Sequence, residues 1–129
     1  GEGDEVSVFT EAELEFLRGA RLLARIATVD PKGDLHVTPV GWSLGADEAS
    51  IEVGGRDVAN TKKFRDVART GRAAIVIDEV LEPWQPRGVE VRGSAEAIEE
   101  PNPKIRIRPE RIVGWGLDGR QHARNVAES

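Results

Sequence analysis

Lys62 and Lys63 stand where a strand gives way to a helix. Gly54-Gly55 closes a strand-like run over 49–53, and Phe64, Val67 and Ala68 then recur at helical spacing as far as Gly71. With Arg56, Asn60 and Thr61, the two lysines load this helix start with cations, an amide and a hydroxyl. A helix N-terminus carries partial positive charge and unsatisfied N–H groups, so lysines there oppose folding unless an anion joins them. An oxyanion reverses the sign of that interaction and occupies the free N–H groups as well. Arg56, Asn60, Thr61, Lys62 and Lys63 are therefore a candidate anion site. They fit equally a solvated basic helix face capped by Asp57 or Asn60. Adjacent helical side chains diverge by about 100°, so one lysine can hold an anion while the other stays in solvent. The glycine pair matches neither the dinucleotide fingerprint nor the P-loop.

A second feature is Val37-Thr38-Pro39-Val40-Gly41-Trp42. Proline removes a donor from a strand and leaves neighbouring backbone groups unpaired, and a flat heterocycle can use them. The alternative is an ordinary edge strand protected by its proline. Trp42, Trp84 and Trp115 form the third set: tryptophans stack on planar ligands, and they also fill cores and interfaces. His36 and His122 have no ligand-spaced partner, so no metal site is expected, and no Ser/His/Asp order supplies a nucleophile or base. Any redox chemistry must then come from a bound cofactor.

The elements that must position these groups fit one domain, residues 1–129, with 1–6 and 119–129 expected as flexible ends. A net charge of −5 argues against general attraction to nucleic acid or anionic membrane, and no apolar run approaches the ~20 residues of a bilayer span. The absence of cysteine excludes disulfides and thiolate chemistry and suits a cytoplasmic protein. Thr10 and Glu13 make a capping box for a first helix ending near Gly19. Strands are expected over 22–29 and 35–44, joined as a hairpin by the turn residues 30–34. Residues 49–53 form another strand, and the continuously apolar 73–77 reads as a strand covered on both faces. Residues 89–98 alternate, and Ile105 and Ile107 open a last strand interrupted at Pro109 and resumed at Ile112-Val113. Six or seven short strands with two inserted helices describe a small β-barrel.

The ordered set resembles the pyridoxamine 5′-phosphate oxidase-like split-barrel superfamily, and within it the actinobacterial F420-dependent oxidoreductase group. The resemblance is carried by Val8-Phe9-Thr10-Glu11-Ala12-Glu13, Ala24-Arg25-Ile26-Ala27-Thr28-Val29, His36-Val37-Thr38-Pro39-Val40-Gly41 and Lys62-Lys63-Phe64-Arg65-Asp66-Val67. It continues through Pro83-Trp84, Arg87-Gly88-Val89-Glu90-Val91-Arg92-Gly93, Ile105-Arg106-Ile107-Arg108-Pro109 and Arg111-Ile112-Val113-Gly114-Trp115-Gly116-Leu117-Asp118. It implies a mainly β fold, a split, FMN-binding-like barrel of about six strands, paired as a homodimer with the cofactor between protomers. It implies that Arg56, Asn60, Lys62 and Lys63 hold a cofactor phosphate and that Thr38, Pro39 and Val40 lie beside the ring, with Trp84 and Trp115 as further contacts. The implied activity is hydride transfer from reduced F420 to a small organic acceptor. The alternatives are an FMN-dependent oxidoreductase on the same fold, or a non-catalytic carrier of F420, FMN or haem. Two departures stand out: relatives often carry more positive charge where this chain has Asn60-Thr61, and the 99–104 connection is short.

Overall fold

The computed structural model describes residues 8–55, 57–118 and 122–126. Thr10 opens α1 (Glu11–Gly19) through the expected capping box: its hydroxyl accepts from the Glu13 amide at 3.1 Å, and the Glu13 carboxylate accepts from the Thr10 amide at 2.9 Å. β1 (Ala24–Val29) and β2 (Leu35–Val40) follow as the expected hairpin, in register from Ala24↔Val40 to Val29↔Leu35. The chain leaves β2 at Gly41, so the expected strand over 35–44 is two pieces, β2 and the short β3 (Ser43–Leu44). Then come β4 (Ile51–Val53), a 3₁₀ turn (Val58–Asn60), α2 (Lys62–Thr70), β5 (Arg72–Leu81), β6 (Gln85–Ile98), β7 (Lys104–Trp115) and β8 (His122–Asn125).

The strands form one antiparallel sheet in the order β2-β1-β5-β6-β7-β4-β3, with β8 pairing on β7. The far edge of β7 is shared: β4 takes the stretch around Ile105 and Ile107, and β8 takes Arg111 to Gly114. The sheet curls at a register shift between Arg92 and Gly93, opposite Pro109. A Cβ on Gly93 would run into the Arg108 carbonyl oxygen, so the close approach of the two backbones requires glycine there. That bulge absorbs the missing donor of Pro109, and β7 runs through without the expected interruption.

Ile26, Ile75, Ile77, Val89, Val91, Ile105, Ile107 and Ile112 are fully buried on the concave side, where Leu14 and Leu17 of α1 and Phe64 and Val67 of α2 join them. Ala68, expected in that row, is exposed, and Asp66 is buried instead. β5 also departs from expectation: Ala73, Ile75 and Ile77 are buried, but Ala74 and Val76 remain half-exposed, because the helices cover one face of the sheet. The other face is open and mixed: Leu35 and Val37 of β2 are 78% and 66% exposed beside Val29 of β1, and Arg25, Arg72, Glu90 and Arg92 share that face. β2 is an edge strand, as Pro39 suggested.

The end expected to fray contains β8, because Arg124 anchors it. Its guanidinium donates to both Glu13 carboxylate oxygens, at 2.7 and 3.0 Å, and to the Val8 carbonyl at 2.8 Å. Among the described residues, no helix is long and apolar enough to cross a membrane.

Candidate anion pocket

α2 begins one residue after the 3₁₀ turn, with Thr61 as its cap in place of the expected Asp57 or Asn60. Gly55, at φ +123°, and Asp57, at φ 65°, take the left-handed conformations that turn the chain out of β4. Thr61 then works in both directions. Its hydroxyl donates to the Val58 carbonyl at 2.6 Å and accepts from the Phe64 amide at 3.3 Å. That leaves the Lys62 and Lys63 amides as first-turn donors with no acceptor inside the helix. No acidic residue occupies this turn. The electrostatic anomaly read from the sequence is therefore real: two ammonium groups sit at the positive end of a helix dipole.

The helix start faces the β1–β2 hairpin across a pocket of about 360 Å³ lined by Ile26, Thr28, His36, Thr38, Thr61, Lys62 and Lys63. The hairpin brings those residues together by strand alternation: Thr28 pairs with His36 and Ile26 with Thr38, so all four share one face. The hairpin turn is tied by Asp30. One of its carboxylate oxygens accepts from the Lys32 and Asp34 amides, each at 2.9 Å. The other accepts from Nε2 of His36 at 2.9 Å and lies 3.8 Å from the Lys62 ammonium. The His36 hydrogen bond, then those of the backbone amides, with the charge of Lys62 added, hold the Asp30 carboxyl down to about 2. A second carboxylate, Asp66, is buried below Lys62. It lies 3.6 Å from that ammonium and accepts from the Thr28 hydroxyl at 3.0 Å.

The two lysines are thus unlike. Lys62 is set between two carboxylates, whereas Lys63 has no ion-pair or hydrogen-bond partner among the described residues. The pocket unites four of the expected site residues, Thr38, Thr61, Lys62 and Lys63. Asn60 is exposed beside it, with its carbonyl accepting from Arg65 at 3.1 Å, and Arg56 lies outside the described residues. Val40 is buried, on the same strand face as Thr38, while Pro39 points to the opposite face. Neither tryptophan lines this pocket. Trp84 is 74% exposed near the β5–β6 turn. Trp115 borders a separate cleft on the open sheet face, with Val37, Ala74 and Val76. Asp30, His36 and Asp66 are the residues that sequence reasoning missed. The hairpin register was the available signal for His36, because it sets that residue opposite Thr28 at the mouth of the turn.

The chain matches the family described as Pyridoxamine 5′-phosphate oxidase over residues 9–128. It is 38% identical to the 5a,11a-dehydrotetracycline/5a,11a-dehydrooxytetracycline reductase of Streptomyces rimosus subsp. rimosus, over 92% of this chain and 93% of that one. Among solved structures it resembles a haem-binding protein from Mycobacterium smegmatis, with TM-score 0.68, 18% identity, and coverage of 94% of this chain. The chain spans only 59% of that protein's length. It also resembles an FMN-binding protein from Syntrophomonas wolfei subsp. wolfei, with TM-score 0.65, 13% identity, and coverage of 83% of this chain and 86% of that one. These structural likenesses establish the split-barrel fold.

Proposed function

Because the chain belongs to the pyridoxamine 5′-phosphate oxidase family, we propose that it is a reductase that uses reduced cofactor F420 and acts as a homodimer in the cytoplasm. The observation that carries this reading is the pocket at the start of α2, where an unpaired Lys63 and two open amides face the edge strand bearing Thr38. A cofactor phosphate fits that donor set, with Lys63 supplying charge and the amides supplying directed hydrogen bonds. Thr38, Pro39 and Val40 would then flank the ring system, and Arg56 and Asn60 would extend the phosphate site. When bound, the deazaflavin supplies hydride to an electrophilic carbon of a conjugated acceptor. The reductase activity named for the Streptomyces relative supports an unsaturated carbonyl compound as that acceptor.

The protein's own part is to anchor the phosphate, exclude water and hold donor and acceptor in contact, which is where positioning contributes most of the rate. The homodimer supplies the exclusion: a second copy covers the open sheet face at Val29, Leu35 and Val37, burying its exposed apolar side chains. The Trp115 cleft, which borders Val37, would then lie at the protomer boundary. The proton that follows hydride transfer comes from water or from a cationic side chain.

FMN is the second reading of the same pocket, favoured by the FMN-binding neighbour from Syntrophomonas. The test is oxidation of reduced F420, followed at its own absorbance across a panel of conjugated acceptors that includes a dehydrotetracycline, with FMN titrated in parallel. Turnover with reduced F420 supports the reductase. A bound flavin spectrum with no response to F420 sinks it, and tight F420 binding without turnover on any acceptor points to a carrier.

A further inference from the structure

The pocket's charge identifies the kind of phosphate it takes; this step rests on the reading of the pocket as the cofactor's phosphate site. Two carboxylates, Asp30 and Asp66, lie 3.8 and 3.6 Å from the single ammonium of Lys62. Both are buried, at 9% and 3% exposure, and both are fixed by further hydrogen bonds: Asp30 by His36 and two turn amides, Asp66 by Thr28. Neither can swing away from Lys62 without leaving those donors. The Asp30 carboxyl is held down to about 2, so it stays charged throughout any working pH. Counted over the described residues, Lys63 is the one pocket cation without a carboxylate beside it.

From this arrangement we infer that Asp30 and Asp66 are specificity-determining residues, which set the pocket to accept a singly charged phosphodiester over a doubly charged phosphomonoester. One negative charge is matched by Lys63 and the helix start. A second negative charge on the same phosphorus has no free cation to meet and is repelled by the net negative charge of the Asp30–Lys62–Asp66 cluster behind the pocket lining. The chemistry distinguishes the two cofactor classes at issue: F420 carries its phosphorus as a diester, and FMN carries a terminal monoester.

A matched pair of probes isolates the charge: riboflavin 5′-phosphate and its methyl ester share ring and chain and differ by one ionisation. Riboflavin itself gives the baseline, and binding is read by quenching of flavin fluorescence at pH 8. Wild-type protein is expected to bind the methyl ester at least about fivefold more tightly than the monoester. Asp66→Asn, which keeps an acceptor for the Thr28 hydroxyl, is expected to shift that ratio roughly tenfold toward the monoester. A role for Asp66 in folding alone would weaken both probes together and leave the ratio unmoved. The wild-type comparison stands even where the variant fails to fold, and monoester binding as tight as the methyl ester overturns the inference. The two levels fail differently. If both phosphate forms bind better than riboflavin, lose that gain in Lys63→Ala, and show no preference, only the charge selection falls. If neither form binds better than riboflavin and Lys63→Ala changes nothing, the phosphate site itself is lost.

Discussion

The two helices are both nine residues long and both capped by threonine, yet their first turns are built in opposite senses. α1 opens with Glu11 and Glu13, as the helix dipole favours, and its inward carboxylate, Glu13, is closed off while Glu11 faces solvent. The Glu13 carboxylate is 2% exposed and takes the Thr10 amide and both ends of the Arg124 guanidinium. α2 opens with Lys62 and Lys63, which the dipole disfavours, and its nearest ionic contacts are loose at 3.6 and 3.8 Å. A capped helix start with its charges satisfied is a structural joint. A capped start with an unpaired cation facing a pocket is a receptor. The pairing also explains why a small domain tolerates the second arrangement: the first one ties the chain's two ends into the sheet.

Breaking the closed joint has the largest expected effect. Arg124→Ala leaves the Glu13 charge buried and partly unpaired, and it frees the Val8 carbonyl. Stability should fall by about 3–5 kcal/mol, the usual loss when one partner of a buried ion pair is removed. Urea unfolding measures it, and a loss under 1 kcal/mol would show that α1 does not depend on the clasp. Breaking the open joint should act on binding instead. Lys63→Ala removes a half-buried cation with no partner among the described residues, so the melting temperature should stay within a degree or two of wild type. Cofactor affinity should drop about 10- to 100-fold, the range of a charge-assisted hydrogen bond. Unchanged affinity, titrated with F420 and with FMN, would make the basic turn a solvated face.

The caps come next in size. Thr61→Ala removes both the acceptor for the Phe64 amide and the donor to Val58, and should cost about 1 kcal/mol by the same urea assay. Thr10→Ala should cost at least as much, since it also breaks the reciprocal box with Glu13. Equal losses with equal effects on cofactor binding would erase the distinction between the two helix starts.

What was legible in the sequence follows the range of the interaction. The α1 box, the β1–β2 hairpin and the alternation of β6 are set by residues a few positions apart, and each formed as read. The cations at the α2 start were visible for the same reason. The cap was not: Asp57 looks like one, but after Gly55 it falls in the left-handed region, and Thr61 takes the position instead. Residues 122–125 carry no apolar alternation, so nothing local marked them as a strand. Their order comes from Arg124 reaching Glu13 at the other end of the chain. Of the partners of Lys62, Asp66 stands four residues on along the same helix and was open to local reading, whereas Asp30 reaches Lys62 only when α2 packs against the hairpin.

The smallest effect separates the two jobs of Asp30. One oxygen builds the hairpin turn and the other faces His36 and Lys62. Asp30→Asn can still accept from the turn amides through its carbonyl oxygen, so the substitution removes mainly the charge. The folded-state carboxyl is held to about 2, below the ordinary value of ~3.9. A depressed folded value means that ionised Asp30 favours the native state, fully above about pH 4. That contribution is lost as pH falls through about 2, where the folded carboxyl also takes its proton. Wild type should therefore be slightly more stable than Asp30→Asn at pH 6, and the gap should close as urea midpoints are followed down to pH 2. A gap that persists unchanged into acid would mean that Asp30 serves the turn alone, and that the charge beside Lys62 is incidental to the fold.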